Sequence, residues 1–208
     1  IYSQMGYVFA KHIFGIKGSY AVDPQKGAVV MTLTTQGDVP IHYTLDGSEP
    51  TAASPRYTGP VEIGKSARFR ATALREGGEN ASYSREFAFS KSTGRPAVLN
   101  TKPNDSYTFE GASLLVDGYH SRPVFTSGAW LGYLDEPLDV TIDMGGEQSY
   151  RSVELETLAE KGDWIFPPSS VTVWVSDNGT DFTEVASVAV PEAKAGDADG
   201  IGRYRMQF

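Results

Sequence analysis

The stretch that most constrains the fold is Ile41–Thr51, IHYTLDGSEPT. Ile41, Tyr43 and Leu45 alternate with His42 and Thr44, the period of a strand with one face in a core. Asp46-Gly47 supplies a turn, because Gly adopts φ > 0 at no steric cost and Asp bonds its own backbone. Pro50-Thr51 bars the segment from returning as a regular central strand. Chains built this way pack short strands between tight turns. The frequent Gly and Pro, the aromatics and the Val/Thr-rich runs of the 208 residues point the same way, to an all-β protein.

Other segments repeat the pattern. Ala28–Thr34 reads as a strand that turns at Gln36-Gly37-Asp38 into Ile41–Leu45. Val61–Ile63 is a short strand. Ala67, Phe69, Ala71 and Ala73 alternate with Arg68, Arg70 and Thr72, and after a turn at Gly77-Gly78 the segment Tyr83–Phe89 sets Phe87 and Phe89 on one face. This spacing predicts an immunoglobulin-like or fibronectin-like sandwich over residues 20–90. YTLDGSEPT resembles the signature of the small β-sandwich that follows the catalytic barrel in bacterial chitobiases and β-N-acetylhexosaminidases of glycoside hydrolase family twenty. The resemblance extends over Tyr20–Phe89.

Residues 1–19 precede that module. Met5, Val8, Phe9, His12 and Ile13 recur at helical spacing and Gly15 is a stop. An N-terminal helix packed on the first sandwich accounts for them; the resemblance implies instead the tail of the last barrel helix. The first residue is not Met and no signal-like segment opens the chain, so we expect a piece of a longer protein.

A polar linker at 91–97 leads into a second module, 98–208. Leu138, Val140, Ile142 and Met144 alternate with Asp139, Thr141 and Asp143. Val153 and Leu155 alternate with Glu154 and Glu156, and Val171, Val173 and Val175 form a third face. Ser176-Asp177-Asn178-Gly179 is a hairpin turn leading to Phe182 and Val185. LVDG at Leu115–Gly118, VTIDMG at Val140–Gly145 and VSDNGTDFTEV at Val175–Val185 resemble, in this order, the discoidin-like (coagulation factor C-type) jelly roll found among carbohydrate-binding modules. That family continues past a strand like RYRMQF, so the resemblance implies a C-terminally incomplete second sandwich.

Charge and residue types exclude several functions. A net charge of −8 is unsuited to nucleic acid or an anionic membrane surface. There is no cysteine, hence no disulfide, thiolate nucleophile or Cys-based zinc site. No run reaches the ~20 apolar residues of a membrane-inserted helix. His12, His42 and His120 are far apart and form no ligand pair. Asp135-Glu136 echoes the paired acids of the resembled hexosaminidases, but its context, GYLDEPLD, lacks their Gly-Gly and upstream His, and Pro137 follows. We read it as a solvated turn and the chain as non-catalytic.

Two kinds of site remain. The discoidin-like resemblance implies a structural calcium on Asp117, with Thr126 as a second side-chain ligand; read from the residues alone, Asp117 caps the turn at Gly118. Asp197–Gly200 reads as a hairpin connection. For sugar, the candidates are an aromatic face with polar neighbours. Trp164 stands between Gly162-Asp163 and Pro167-Pro168, either as a platform or as a plug of the sandwich end. Tyr119, His120 and Arg122 share another loop, and Tyr133 lies beside Gly132. Trp130 reads as core, and Trp174 faces opposite the valines of its strand. Together the resemblances imply an accessory region of an exported (periplasmic, cell-surface or secreted) β-N-acetylhexosaminidase. Its partners would be a glycan and the parent catalytic barrel. A spacer that braces the barrel, or a protein-adhesion module, fits the same residues.

Overall fold

The computed structural model describes residues 15–75, 80–194 and 196–208. The helix expected around Met5–Ile13 and the turn at Gly77-Gly78 lie outside them. The described chain is all-β, with short 3-10 turns between strands, and it divides into two compact units. No helix among the described residues is long and apolar enough to cross a membrane.

The first unit contains β1 (Lys17–Asp23), β2 (Ala28–Thr34), β3 (Ile41–Thr44), β4 (Val61–Ile63), β5 (Ala67–Ala73) and β6 (Ala81–Phe87). They form two antiparallel three-stranded sheets, β1-β2-β4 and β3-β5-β6. Val29, Met31, Leu33, Val61 and Ile63 from one sheet meet Ile41, Phe69, Ala71, Ala73 and Phe87 from the other in a single buried cluster. That is a β-sandwich: each alternating strand buries one face because a second sheet covers it. β1 starts at Lys17, three residues before the module start at residue 20 that the spacing predicts. Gly18 explains the fit, since a Cβ there would stand 2.3 Å from Cζ of Tyr83.

The YTLDGSEPT stretch is a structural device of this sandwich. Asp46 Oδ1 accepts hydrogen bonds from the Ser48 N–H (2.9 Å) and hydroxyl (2.6 Å), and Gly47 takes φ +85°. Thr44 Oγ1 donates to the Ser48 carbonyl at 2.6 Å. Glu49 returns to β5, paired with Arg70 and accepting from Thr72 Oγ1 at 3.1 Å. The chain then runs back along β3, where the Tyr43 N–H donates to the Pro55 carbonyl and the Tyr57 N–H to that of Ile41. From there the Tyr57 hydroxyl accepts the Leu33 N–H of the other sheet at 3.0 Å.

The second unit contains β7 (Ala97–Leu99), β8 (Val140–Ile142), β9 (Ser152–Ala159), β10 (Ser170–Val175), β11 (Thr183–Ala189) and β12 (Gly200–Gln207). They pair antiparallel as β7-β8, β9-β12 and β10-β11, the last with a bulge between Val173 and Trp174. The Ser176–Gly179 turn joins β10 to β11 as expected, organised by the Asn178 side chain, whose Oδ1 accepts from the Thr180 and Asp181 N–H groups. Asp197–Gly200 is not a hairpin connection: it leads from β11 to β12, and β12 pairs with β9. The long loops carry an aromatic group, with Tyr107 edge-on to both Phe109 and Phe125.

Leu115–His120 belongs to the first unit, although the spacing assigns it to the module beginning at residue 98. The chain leaves the first unit after Gly94, returns for these six residues, and leaves again at Ser121. The segment is a strap. The Ala88 N–H donates to the Gly118 carbonyl (2.7 Å) and the Gly94 N–H to that of Val116 (2.8 Å). Val116 and Asp117 are 2% and 4% exposed.

Candidate binding site

The first candidate is the turn between β9 and β10. Glu160 and Ile165 exchange backbone hydrogen bonds of 2.9 and 3.1 Å, closing a tight loop over Lys161–Trp164. Lys161–Asp163 make one 3-10 turn, and Trp164 completes it in the left-handed region, φ 60°, ψ 28°. Glycine takes that conformation freely; for a bulky residue it costs about 1–2 kcal/mol. Lys161 clamps the loop from below: its ammonium donates to Asp199 Oδ1 (2.5 Å) and to the Asp197 carbonyl (2.8 Å). That bond holds the Asp199 carboxyl below its ordinary range. Trp164 is 84% exposed, with the edge of Phe166 against it at a centroid distance of 6.4 Å. It therefore plugs nothing, and a rigid turn offers both rings to solvent. Partial desolvation, then the carboxylates of Asp163 and Asp199, push the Glu160 carboxyl up.

The second candidate surrounds the strap. Asp117 Oδ2 accepts the Tyr20 hydroxyl at 2.8 Å and Oδ1 the Tyr119 N–H at 2.8 Å. The Arg85 guanidinium lies 4.1 Å from the Tyr119 ring centroid and 5.1 Å from that of Tyr20, while its Nε donates to the Tyr83 hydroxyl. Burial pushes the Asp117 carboxyl up to about 6, against the lowering by the Tyr119 N–H, the Tyr20 hydroxyl and Arg85. Burial and then Asp117 raise the Tyr20 phenol well above its usual range.

Calcium takes six to eight oxygens. Here the two Asp117 oxygens accept hydrogen bonds from Tyr20 and Tyr119, and Thr126 is an exposed residue of the second unit. Among the described residues no group of three or more His, Cys, Asp or Glu is placed to hold a metal.

The sugar candidates divide between the two units. Tyr119 and His120 lie in the first unit, and Arg122, Tyr133 and Trp164 in the second. The Tyr119 ring packs against Phe87 and Tyr20 at the edge of the core, so its face is spent. His120 is exposed. The Arg122 side chain is exposed too, while its carbonyl accepts Trp130 Nε1–H at 3.0 Å. Tyr133 is half-buried, reaches the Thr101 carbonyl at 3.5 Å, and has its phenol raised by burial. Asp135 and Glu136 lie exposed in a loop, Asp135 at φ 63°. A separate groove of about 350 Å³ in the first unit runs past Tyr43, Leu45, Arg56 and Pro60.

Sequence reasoning missed Phe166, whose place two residues beyond Trp164 in the same Pro-bounded loop was the available signal. It also missed the bonding of Tyr20 to Asp117, for which pattern and spacing carry no signal.

Residues 18–85, from β1 into β6, match the family model of the chitobiase/beta-hexosaminidase C-terminal domain. No curated protein matches the chain.

Proposed function

We propose that the chain is a non-catalytic accessory region of an exported, glycan-degrading β-N-acetylhexosaminidase, and that its second unit makes weak contact with carbohydrate through Trp164. The parent enzyme would release terminal N-acetylhexosamines, and the first unit would brace its barrel. The match over residues 18–85 supports the accessory reading. The observation that carries the contact is the presentation of Trp164, 84% exposed on a turn locked by the Glu160–Ile165 pair and the Lys161 clamp. Pyranose rings have an apolar face that stacks on such an indole, and a fixed turn loses little entropy in doing so. A single small platform gives affinities in the millimolar to high-micromolar range, about −4 to −6 kcal/mol.

The test is a titration of the whole chain with sugars, read by NMR shifts of the indole N–H groups. Short oligosaccharides containing hexosamine are expected to move the Trp164 signal, and Trp164→Ala to abolish the response without lowering the unfolding midpoint. A response that survives Trp164→Ala, or none with any sugar, overturns the reading.

A further inference from the structure

The aromatic pair does not stand on neutral ground. The turn that carries Trp164 also carries Glu160 and Asp163, and it touches the β11–β12 loop through the Lys161 bonds to Asp197 and Asp199. Across residues 160–166 and 190–199 the sequence sets five carboxylates against two lysines. One of those lysines, Lys161, is neutralised: its side chain is 19% exposed and its ammonium is held by Asp199. Asp163 is exposed to an incoming ligand, and Glu160 is half-buried beside it. The chain as a whole carries −8, so the long-range field has the same sign as the local one.

We propose that the Trp164–Phe166 surface docks cationic amino sugars, chains of free glucosamine-type residues bearing an ammonium group, in preference to their N-acetylated counterparts. The proposal rests on the glycan reading of Trp164 and refines it. Charge complementarity selects the occupant. An indole face attracts a cation through its quadrupole, and adjacent carboxylates accept charge-assisted hydrogen bonds from an ammonium group. An acetamido group carries no charge, so it gains no cation–π attraction, and it offers the carboxylates one N–H where an ammonium group offers three. An anionic glycan meets repulsion from Glu160, Asp163 and the net charge. Desolvation first, and then the neighbouring carboxylates of Asp163 and Asp199, raise the Glu160 carboxyl.

The experiment titrates the intact chain with a glucosamine tetramer and, separately, an N-acetylglucosamine tetramer, in mildly acidic buffer where the sugar amines are protonated. Readouts are calorimetry and the Trp164 indole N–H shift. The glucosamine tetramer is expected to bind about fivefold more tightly or better, as one cation–π contact with a neighbouring carboxylate supplies. Raising ionic strength from about 0.01 M to about 1 M, which cuts the Debye length from about 30 Å to about 3 Å, should erase that preference. Glu160→Gln with Asp163→Asn should erase that preference too. Equal or tighter binding of the N-acetylated tetramer, or a preference unmoved by salt and by the double variant, overturns the inference and leaves the glycan reading standing. If neither tetramer moves the Trp164 signal, both fall.

Discussion

In the first unit Phe69, Phe87, Met31 and Ile63 are fully enclosed, whereas in the second Trp174, Val175, Phe182 and Val188 of the β10-β11 region stand exposed. The strands that carry them look alike in sequence. Ala67–Ala73 alternates small and aromatic residues with polar ones, and Ser170–Val175 alternates valines with Ser, Thr and Trp. The difference lies in what covers them. β5 is the middle strand of its sheet and faces β2 and β4 across the sandwich. β10 pairs with β11 alone, and the apolar side chains buried in the strands of the second unit are Leu158 and Met206. Alternation tells a strand to have two unlike faces; only a second layer makes one of them an interior.

The largest effect that would break this comparison is in the core. Phe69→Ala removes a ring with no exposed surface, packed on Tyr43 and edge-on to Tyr83. It is expected to cost the first unit about 3–5 kcal/mol. Trp174→Ala, a larger deletion at a side chain about half exposed, is expected to cost under about 1 kcal/mol. Urea unfolding followed by the Met31 methyl signal reads the first unit. All three tryptophans, Trp130, Trp164 and Trp174, lie in the second, so indole fluorescence reads that one. Equal losses from the two substitutions would erase the contrast.

The second effect is pH-dependent and belongs to the strap. Asp117 titrates at about 6 in the folded chain against an ordinary 3.8. Above pH 6 it is charged in both states, and the folded chain carries the cost of burying that charge, about 3 kcal/mol. Between about pH 6 and 4 the folded chain binds a proton that the unfolded chain does not, so stability rises as pH falls. Below the ordinary carboxylate range both states are protonated and the cost is gone. Asp46 of the same unit acts the other way: its lowered carboxyl lends stability that is lost only as pH falls through that lowered value. The net rise in the first unit's stability is therefore expected from about pH 6.5 down to about 4.5, and Asp117→Asn should flatten it. An unchanged slope in the variant would assign the pH dependence elsewhere.

How far the sequence was legible follows from the same physics. β2, β3, β4, β5 and β6 were legible because each alternates with period two between clear turn residues. The family match over residues 18–85 agrees with what YTLDGSEPT suggested, and the structure explains the motif: Asp46, Ser48, Glu49 and Thr44 spend their polar atoms on the fold itself. β1 was partly hidden, because KGSYAVD opens with a polar residue and a glycine whose role is to admit the Tyr83 ring. The strap was invisible. Tyr20 and Asp117 are 97 residues apart, and no local pattern announces a bond over that distance. Trp164 was half legible: the bracketing Gly and Pro residues marked a constrained loop, whereas its left-handed backbone follows from the closure of the Glu160–Ile165 pair.

The smallest effect is also the one that separates the two units most cleanly by purpose. At Gly47, φ +85°, the first unit uses the residue that the conformation demands. At Trp164, φ 60°, the second unit places an indole where glycine fits best. Trp164→Gly should relieve about 1–2 kcal/mol of backbone strain. Against this stand the extra freedom of glycine in the unfolded chain and the loss of an exposed edge contact with Phe166, each worth about 0.5–1 kcal/mol. The sum lies within about 1 kcal/mol of zero, far from the several kcal/mol that deleting a packed Trp costs. Guanidinium unfolding of the variant, followed by Trp130 and Trp174 fluorescence, measures it. A neutral or stabilising outcome means the indole is kept there at the expense of the fold, as a residue held for contact with a ligand would be. A loss above about 2 kcal/mol would mean that Trp164 packs in solution, and the platform would have to be sought elsewhere.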